Sequence, residues 1–263
     1  MTVAGVWENE YGSRMILAVE ESPAGDGAVW GIYESTTGST GRYLVTGRQG
    51  RAAAGGNGQP LALAIAWRSV GADPADPSWH WVSAMAGQYH GGDGAAQVTI
   101  NHLLVASGEF PGLCGPGLYC DKLTYRRTSE APYAGRALAG AVVPHPLSGV
   151  WHGADGVRLD LHVFPEPDGR VGLVDGSLRY EGCETAIAGV ADLDGQAEGS
   201  GRYALAITAC DEARNQTVAM GGWLDGEAGA LLLQSLTGHA TPLDGAYLQT
   251  SLWPLSLVRR DGP

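Results

Sequence analysis

The sequence predicts an all-β protein made of two tandem eight-stranded antiparallel barrels of the up-and-down kind. Three observations carry this. Apolar residues alternate in short runs parted by Gly, Asp, Asn and Pro, and no long amphipathic helical pattern occurs. Glycine is abundant, with 41 in 263 residues, as tight turns between many strands require. The chain also opens twice in the same way, with "GVWENEYGSR" from Gly5 and "GVWHGADGVR" from Gly149.

In the first repeat, apolar alternation predicts strands near 13–21, 28–35, 41–49, 60–69, 80–90, 95–107 and 117–127. Splitting the last run into two short strands brings the count to eight. In "PLALAIAW", Leu61, Leu63, Ile65 and Trp67 share one face. Eight antiparallel strands with short turns close into a barrel, which removes exposed edges and leaves room for one small ligand. The repeat continues in the echoes "SAMAGQY" and "VAMGGWL", then "LTYRR" and "SLVRR". The second copy is shorter by about ten residues, a loss that loops tolerate. The expected organisation is a barrel over 1–128, an Ala-, Gly- and Pro-rich linker over 129–147 and a second barrel over 148–263.

A net charge of −12 opposes binding to nucleic acid or to an anionic membrane. No apolar run approaches the roughly 20 residues that span a bilayer as a helix. The expected location is cytoplasmic if the chain is complete, and extracellular if a leader has been removed. The four Cys form two local pairs, Cys114 with Cys120 and Cys183 with Cys210, compatible with disulfides or with reduced thiols. Their spacing suggests no zinc site, and no cofactor is expected. His80, His90 and His102 are expected on outward faces.

The first repeat resembles the avidin and streptavidin family from Gly5 to Arg127, through "GVWENEYGS", "WGIYESTTGSTGRYLVTGR", "LALAIAWRS", "AGQYHGG" and "TINHLLVASG". The resemblance implies an eight-stranded barrel holding biotin at its open end. It implies that Asn9, Ser13 and Tyr33 donate to a ureido oxygen, and that Ser35 and Asp121 accept from the ureido N–H groups. Trp67 would form an aromatic wall. A urea has one strong acceptor and two donors, so three donors and two acceptors in a dry barrel satisfy it. Taken singly, a Ser or Asn near a strand end is most often a turn residue, and a lone Tyr or Asp usually faces water; five at matching positions favour the site.

The repeat departs from the family pattern in its tail pocket. Met85 and Leu103 stand where the family has Trp, and the subunit-crossing Trp aligns near Leu113. Trp81, sharing the inward parity of Ser83 and Met85, replaces a small hydroxyl residue, and Ser39 replaces an Asn. In the second repeat Gly153 replaces Asn9, Asp155 replaces Tyr11 and Val157 replaces Ser13. Val174 and Gly176 align with Tyr33 and Ser35, and Pro254 with Asp121. Trp151 and Arg158 remain, as plug and closure. This half is read as structural.

The function expected is binding of biotin or a related ureido or cyclic-guanidino compound in the first barrel. Chains are expected to self-associate through their barrels as a dimer of two-barrel chains. The alternative is a barrel enclosing a cyclase or condensing reaction, with Asp121 as general base and Tyr33 as acid. A third reading is a scaffold that only assembles.

Overall fold

The repeated Gly-Val-Trp folds identically in both places. Gly5 and Gly149 adopt φ of 132° and 131°, a region that favours glycine. At Gly5 a side chain is also blocked sterically, since a Cβ would lie 2.7 Å from the Ser129 carbonyl oxygen. This backbone turns Trp7 and Trp151 into the barrel ends, where both indoles are fully buried. Trp7 Nε1 donates to the Val3 carbonyl at 2.8 Å, and Trp151 Nε1 to the Leu147 carbonyl at 2.9 Å. Arg127 and Arg259 then cover the two rings at 4.6 and 4.7 Å. The Arg expected to serve closure lies elsewhere: Arg14 and Arg158 make surface ion pairs with Glu34 and Asp160.

The computed structural model describes residues 2–23, 26–36, 40–53, 58–70, 80–91, 96–108, 115–135, 140–167, 169, 171–193, 201–242 and 250–259. Eight antiparallel strands close the first barrel in chain order. They are β1 (Gly5–Asn9), β2 (Arg14–Glu21), β3 (Gly27–Ser35), β4 (Gly41–Gln49), β5 (Gln59–Ala66), β6 (Trp81–His90), β7 (Gln97–Ala106) and β8 (Gly117–Ser129). The eighth strand is thus the opening motif itself, and the final run is continuous rather than broken. Residues 117–129 pair with β7 along one side and β1 along the other, so no edge is left to fray.

The second barrel closes through β9 (Gly149–His152), β10 (Arg158–Pro165), β11 (Gly172–Tyr180), β12 (Cys183–Ala191), β13 (Arg202–Asp211), β14 (Gln216–Asp225), β15 (Ala230–Gly238) and β16 (Thr250–Arg259). Between the barrels, the chain leans on strands it has already made. Tyr133 N–H donates to the Leu17 carbonyl, Trp30 Nε1 to the Gly135 carbonyl, and Val143 N–H to the Val163 carbonyl.

Each barrel has its own core, and a third apolar core lies between them. β5 and β6 are buried at every position because both faces are covered. Leu61, Leu63 and Ile65 fill the barrel, while Ala62, Ala64 and Ala66 point outward to the partner barrel. Ala204, Ala206 and Ala219 answer from β13 and β14. Alanine on both walls lets the backbones approach closely.

Polar groups pin the rim of this seam. His80 Nδ1 lies 2.8 Å from Asp192 Oδ2, both groups almost fully buried, with Arg68 Nη2 3.7 Å from the same carboxylate. Thr241 N–H donates to Gln88 Oε1 at 2.8 Å, and His90 Nε2 meets the Thr241 carbonyl at 3.0 Å. Asn215, at φ 52°, accepts from Arg51 N–H through Oδ1 and donates back to the Arg51 carbonyl. His80 and His90 therefore face outward from their barrel as expected, but into the neighbouring barrel rather than water. Cys120, Cys183 and Cys210 are free thiols, so no Cys183–Cys210 bridge forms. Cys114 lies outside the described residues.

Removing Asp192 takes away the buried carboxylate that both His80 and Arg68 face. Asp192→Ala should cost about 3 kcal/mol of stability, read as a lower denaturant midpoint of the intact chain. An unchanged midpoint would show that the polar rim of the seam carries no weight.

Candidate functional site

Ring closure brings most of the predicted residues together inside one end of the first barrel. Asn9 ends β1 and Ser13 precedes β2, joined by a tight turn. Asn9 Oδ1 accepts from the N–H groups of Tyr11 and Ser13 at 3.1 and 2.9 Å. Ser13 Oγ accepts from Thr36 N–H at 3.3 Å. The turn roles and the donor roles are compatible. Engaging the Asn9 oxygen holds its amide in place while leaving the N–H₂ group as a donor. The Ser13 hydroxyl also lies 3.4 Å from Thr36 Oγ1, whose own proton goes to the Tyr11 carbonyl, so Ser13 donates in that long contact; both Asn9 and Ser13 are buried.

Tyr33 sits on β3 opposite Met15, and Ser35 follows on the same inward face. The Tyr33 ring meets Trp67 edge-on, with centroids 5.6 Å apart. Tyr43 of β4, fully buried, supports the other side of Trp67 at 4.9 Å. Tyr125 of β8 lies opposite Asn9. Burial holds its phenol well above the ordinary range, reinforced by the neighbouring Tyr33. Its hydroxyl lies beside Tyr33 and Asn9 and makes no well-formed hydrogen bond among the described residues.

The far wall differs most from expectation. Met85 is fully buried, and its cross-strand neighbour is His102, not Leu103. Val98 and Ile100 belong to the barrel core, so alternation along β7 turns His102 inward and Leu103 out. Leu103 packs into the core between the barrels. The choice of Leu103 followed apolarity, whereas the phase of β7 carried the answer.

His102 completes a polar chain. Trp67 Nε1 donates to Ser83 Oγ at 2.7 Å, and Ser83 Oγ lies 2.7 Å from His102 Nε2. Ser83 is fully buried, and His102 Nε2 is the acceptor its own proton can reach. The imidazole is therefore neutral, with its proton on Nδ1. Burial drives the His102 pKa down to about 4, against a smaller upward pull from Asp121.

Asp121 faces His102 across the β7–β8 ladder but is solvent-exposed, and its Oδ1 accepts from Lys122 N–H at 2.6 Å. It stands at the mouth rather than in a dry interior. Trp81, buried to 3% exposure, is part of the packed core and closes off space next to Ser83. Ser39 and Leu113 lie outside the described residues.

Ser83, His102 and Asp121 lie on three successive strands, in the order of a nucleophile, base and acid. The energetics oppose that use. A base with a pKa of about 4 holds a proton poorly at neutral pH, and the Ser83 oxygen is already engaged by Trp67. The series builds a rigid wall with fixed polarity. Among the described residues, no three His, Cys, Asp or Glu side chains converge to hold a metal ion.

Strand register also corrects the reading of the second barrel. Trp7 pairs with Met15 and Met15 with Tyr33; likewise Trp151 pairs with Leu159 and Leu159 with Leu178. Leu178 and Tyr180 therefore hold the places of Tyr33 and Ser35, not Val174 and Gly176. On the opposite wall, Met85–His102–Asp121 corresponds to Met220–Ser235–Trp253. Trp253, not Pro254, stands in the Asp121 position.

No family model matches this chain, and no curated protein does. Among solved structures, it is similar to a biotin-binding protein from chicken, at 18% identity and a TM-score of 0.35, over 48% of this chain and 95% of that one. Rhizavidin in complex with biotin matches at 20% identity and a TM-score of 0.34, over 48% and 100% of the two chains. Xenavidin matches at 19% identity and a TM-score of 0.35, over 48% and 96%. These structural neighbours are avidin-like proteins. Each match spans about half of this chain and nearly all of the neighbour.

A pKa of about 4, below the ordinary 6.5 for histidine, means that the unfolded chain binds a proton at His102 that the folded chain refuses between those values. Stability from this residue is complete above about pH 6.5 and is lost as pH falls toward 4. His102→Gln should flatten that part of the stability profile. Histidine proton shifts measured by NMR should show His102 neutral down to about pH 4; titration near 6.5 would refute the buried hydrogen-bonded wall.

Proposed function

We propose that the first barrel binds a small molecule through a flat urea-type group seated among Asn9, Ser13 and Tyr33. Biotin, the ligand of the family that the first repeat resembles, leads the candidates, with other ureido and cyclic-guanidino compounds beside it. The observation that carries this reading is the Asn9–Ser13 turn. Its backbone bonds engage the Asn9 oxygen and leave the amide N–H₂ as a donor. The Ser13 proton, held only by a long 3.4 Å contact to Thr36 Oγ1, can turn to a carbonyl-type oxygen. The buried Tyr125 hydroxyl, which has no well-formed hydrogen bond among the described residues, supports the same reading. A buried unsatisfied polar group costs roughly 1–3 kcal/mol, a penalty that a ligand or water relieves.

The walls argue against the family's extreme affinity. Met85 and His102 replace broad aromatic surface, and Trp81 fills part of the tail space. Each lost aromatic contact removes roughly 1.5–3 kcal/mol of burial, which together amounts to several decades in the dissociation constant. The exposed Asp121 also contributes less than a buried carboxylate, because water screens it. Self-association is proposed through the outer face of β15 and β16, where Leu232, Leu252 and Val258 are exposed. In sedimentation equilibrium, Leu252→Ser with Val258→Ser should then shift the chain toward monomer.

A thermal-shift screen with biotin, desthiobiotin, cyclic ureas and cyclic guanidines identifies the ligand class, since binding to the folded state raises the melting temperature. Calorimetry should then give one ureido site per chain. Tyr33→Phe should weaken binding about tenfold, and Asp121→Ala less. An affinity untouched by Tyr33→Phe would place the ligand elsewhere.

A further inference from the structure

We infer that the second barrel is also a receptor, and that it takes a compact, uncharged, largely apolar ring compound. Its open end holds a cavity of about 560 Å³, within the usual range for small-molecule sites. The cavity occupies the same place in this barrel as the polar cage does in the first. Val157, Leu178 and Val218 line it where Ser13, Tyr33 and Ser83 stand in the first barrel, and Met220 repeats Met85. The cage has been exchanged for hydrocarbon, yet the space has not been filled.

The chemistry of the lining selects the occupant. Trp253 stands at the rim with 62% of its surface exposed, a flat apolar face left in water unless something covers it. Ser235 and Thr237 project from successive inward positions of β15, and among the described residues no side chain or backbone group hydrogen-bonds either hydroxyl. They give the cavity one polar edge, suited to a single hydroxyl, carbonyl or amine. The acidic side chains lining it, Asp155 and Glu181, stand against an anion. Arg214 offsets Glu181 at 3.1 Å, while among the described residues Asp155 makes no ion pair.

The test uses the intact two-barrel chain and N-phenyl-1-naphthylamine, an uncharged probe that fluoresces in apolar surroundings. One saturable equivalent should bind per chain, and Tyr33→Phe should not alter it, which separates this site from the ureido site. Ser235→Trp, which fills the cavity, should weaken binding at least tenfold. Trp253→Asp, at an exposed position that does not endanger folding, should do likewise. Leu252→Ser with Val258→Ser, on the outer face, should leave binding unchanged. Absence of saturable binding, or undiminished binding in Trp253→Asp, would overturn the proposal. So would loss of binding in the outer-face variant, which would place the probe outside the barrel. A dimer that excludes the probe and dissociates in Trp253→Asp would show that a second copy covers the mouth instead.

Discussion

Ring closure is the constraint on which the rest of this molecule depends. Once eight strands close, every side chain points either into the barrel or away from it, and a strand has no edge along which to slip. A shift of one residue would exchange the whole inner set of a strand for its outer set. The consequences are concrete on β7, where Val98, Ile100 and His102 share the inside and Leu103 faces the other barrel. The same rule makes Leu61, Leu63 and Ile65 the core and their alanine neighbours the contact surface.

The two barrels solve one structural problem identically and then diverge. Both need a plug at the closed end, and both use a Trp hydrogen-bonded to a carbonyl four residues earlier and covered by an Arg. Both need a wall that tolerates close approach, and both present alanine. At the open ends no such requirement applies. There the first barrel keeps donors held by a turn, and the second presents Val157, Leu178 and Trp253 around a cavity. Divergence is concentrated where packing does not demand a particular residue.

The contact between the barrels also changes the meaning of several polar residues. His80, His90, Gln88 and Asp192 would be ordinary surface groups on an isolated barrel. Here they are buried in the seam and partnered across it. Their burial makes the relative placement of the barrels specific, because a misplaced contact would leave buried donors and acceptors unsatisfied.

What the sequence determined by itself is local and periodic. The duplicated Gly-Val-Trp and the alternation in "PLALAIAW" together specified two barrels. The loss of Asn9 and Ser13 from the second copy was equally readable, because that motif contains no insertion. What only the tertiary structure decided is non-local. Which residue of β7 or β16 faces inward depends on phase set by neighbouring strands around the ring, so His102 and Trp253 displaced Leu103 and Pro254. The opening motif became the eighth strand only through pairing with a strand more than a hundred residues away. A cavity likewise depends on all eight walls at once, which no single stretch of sequence displays.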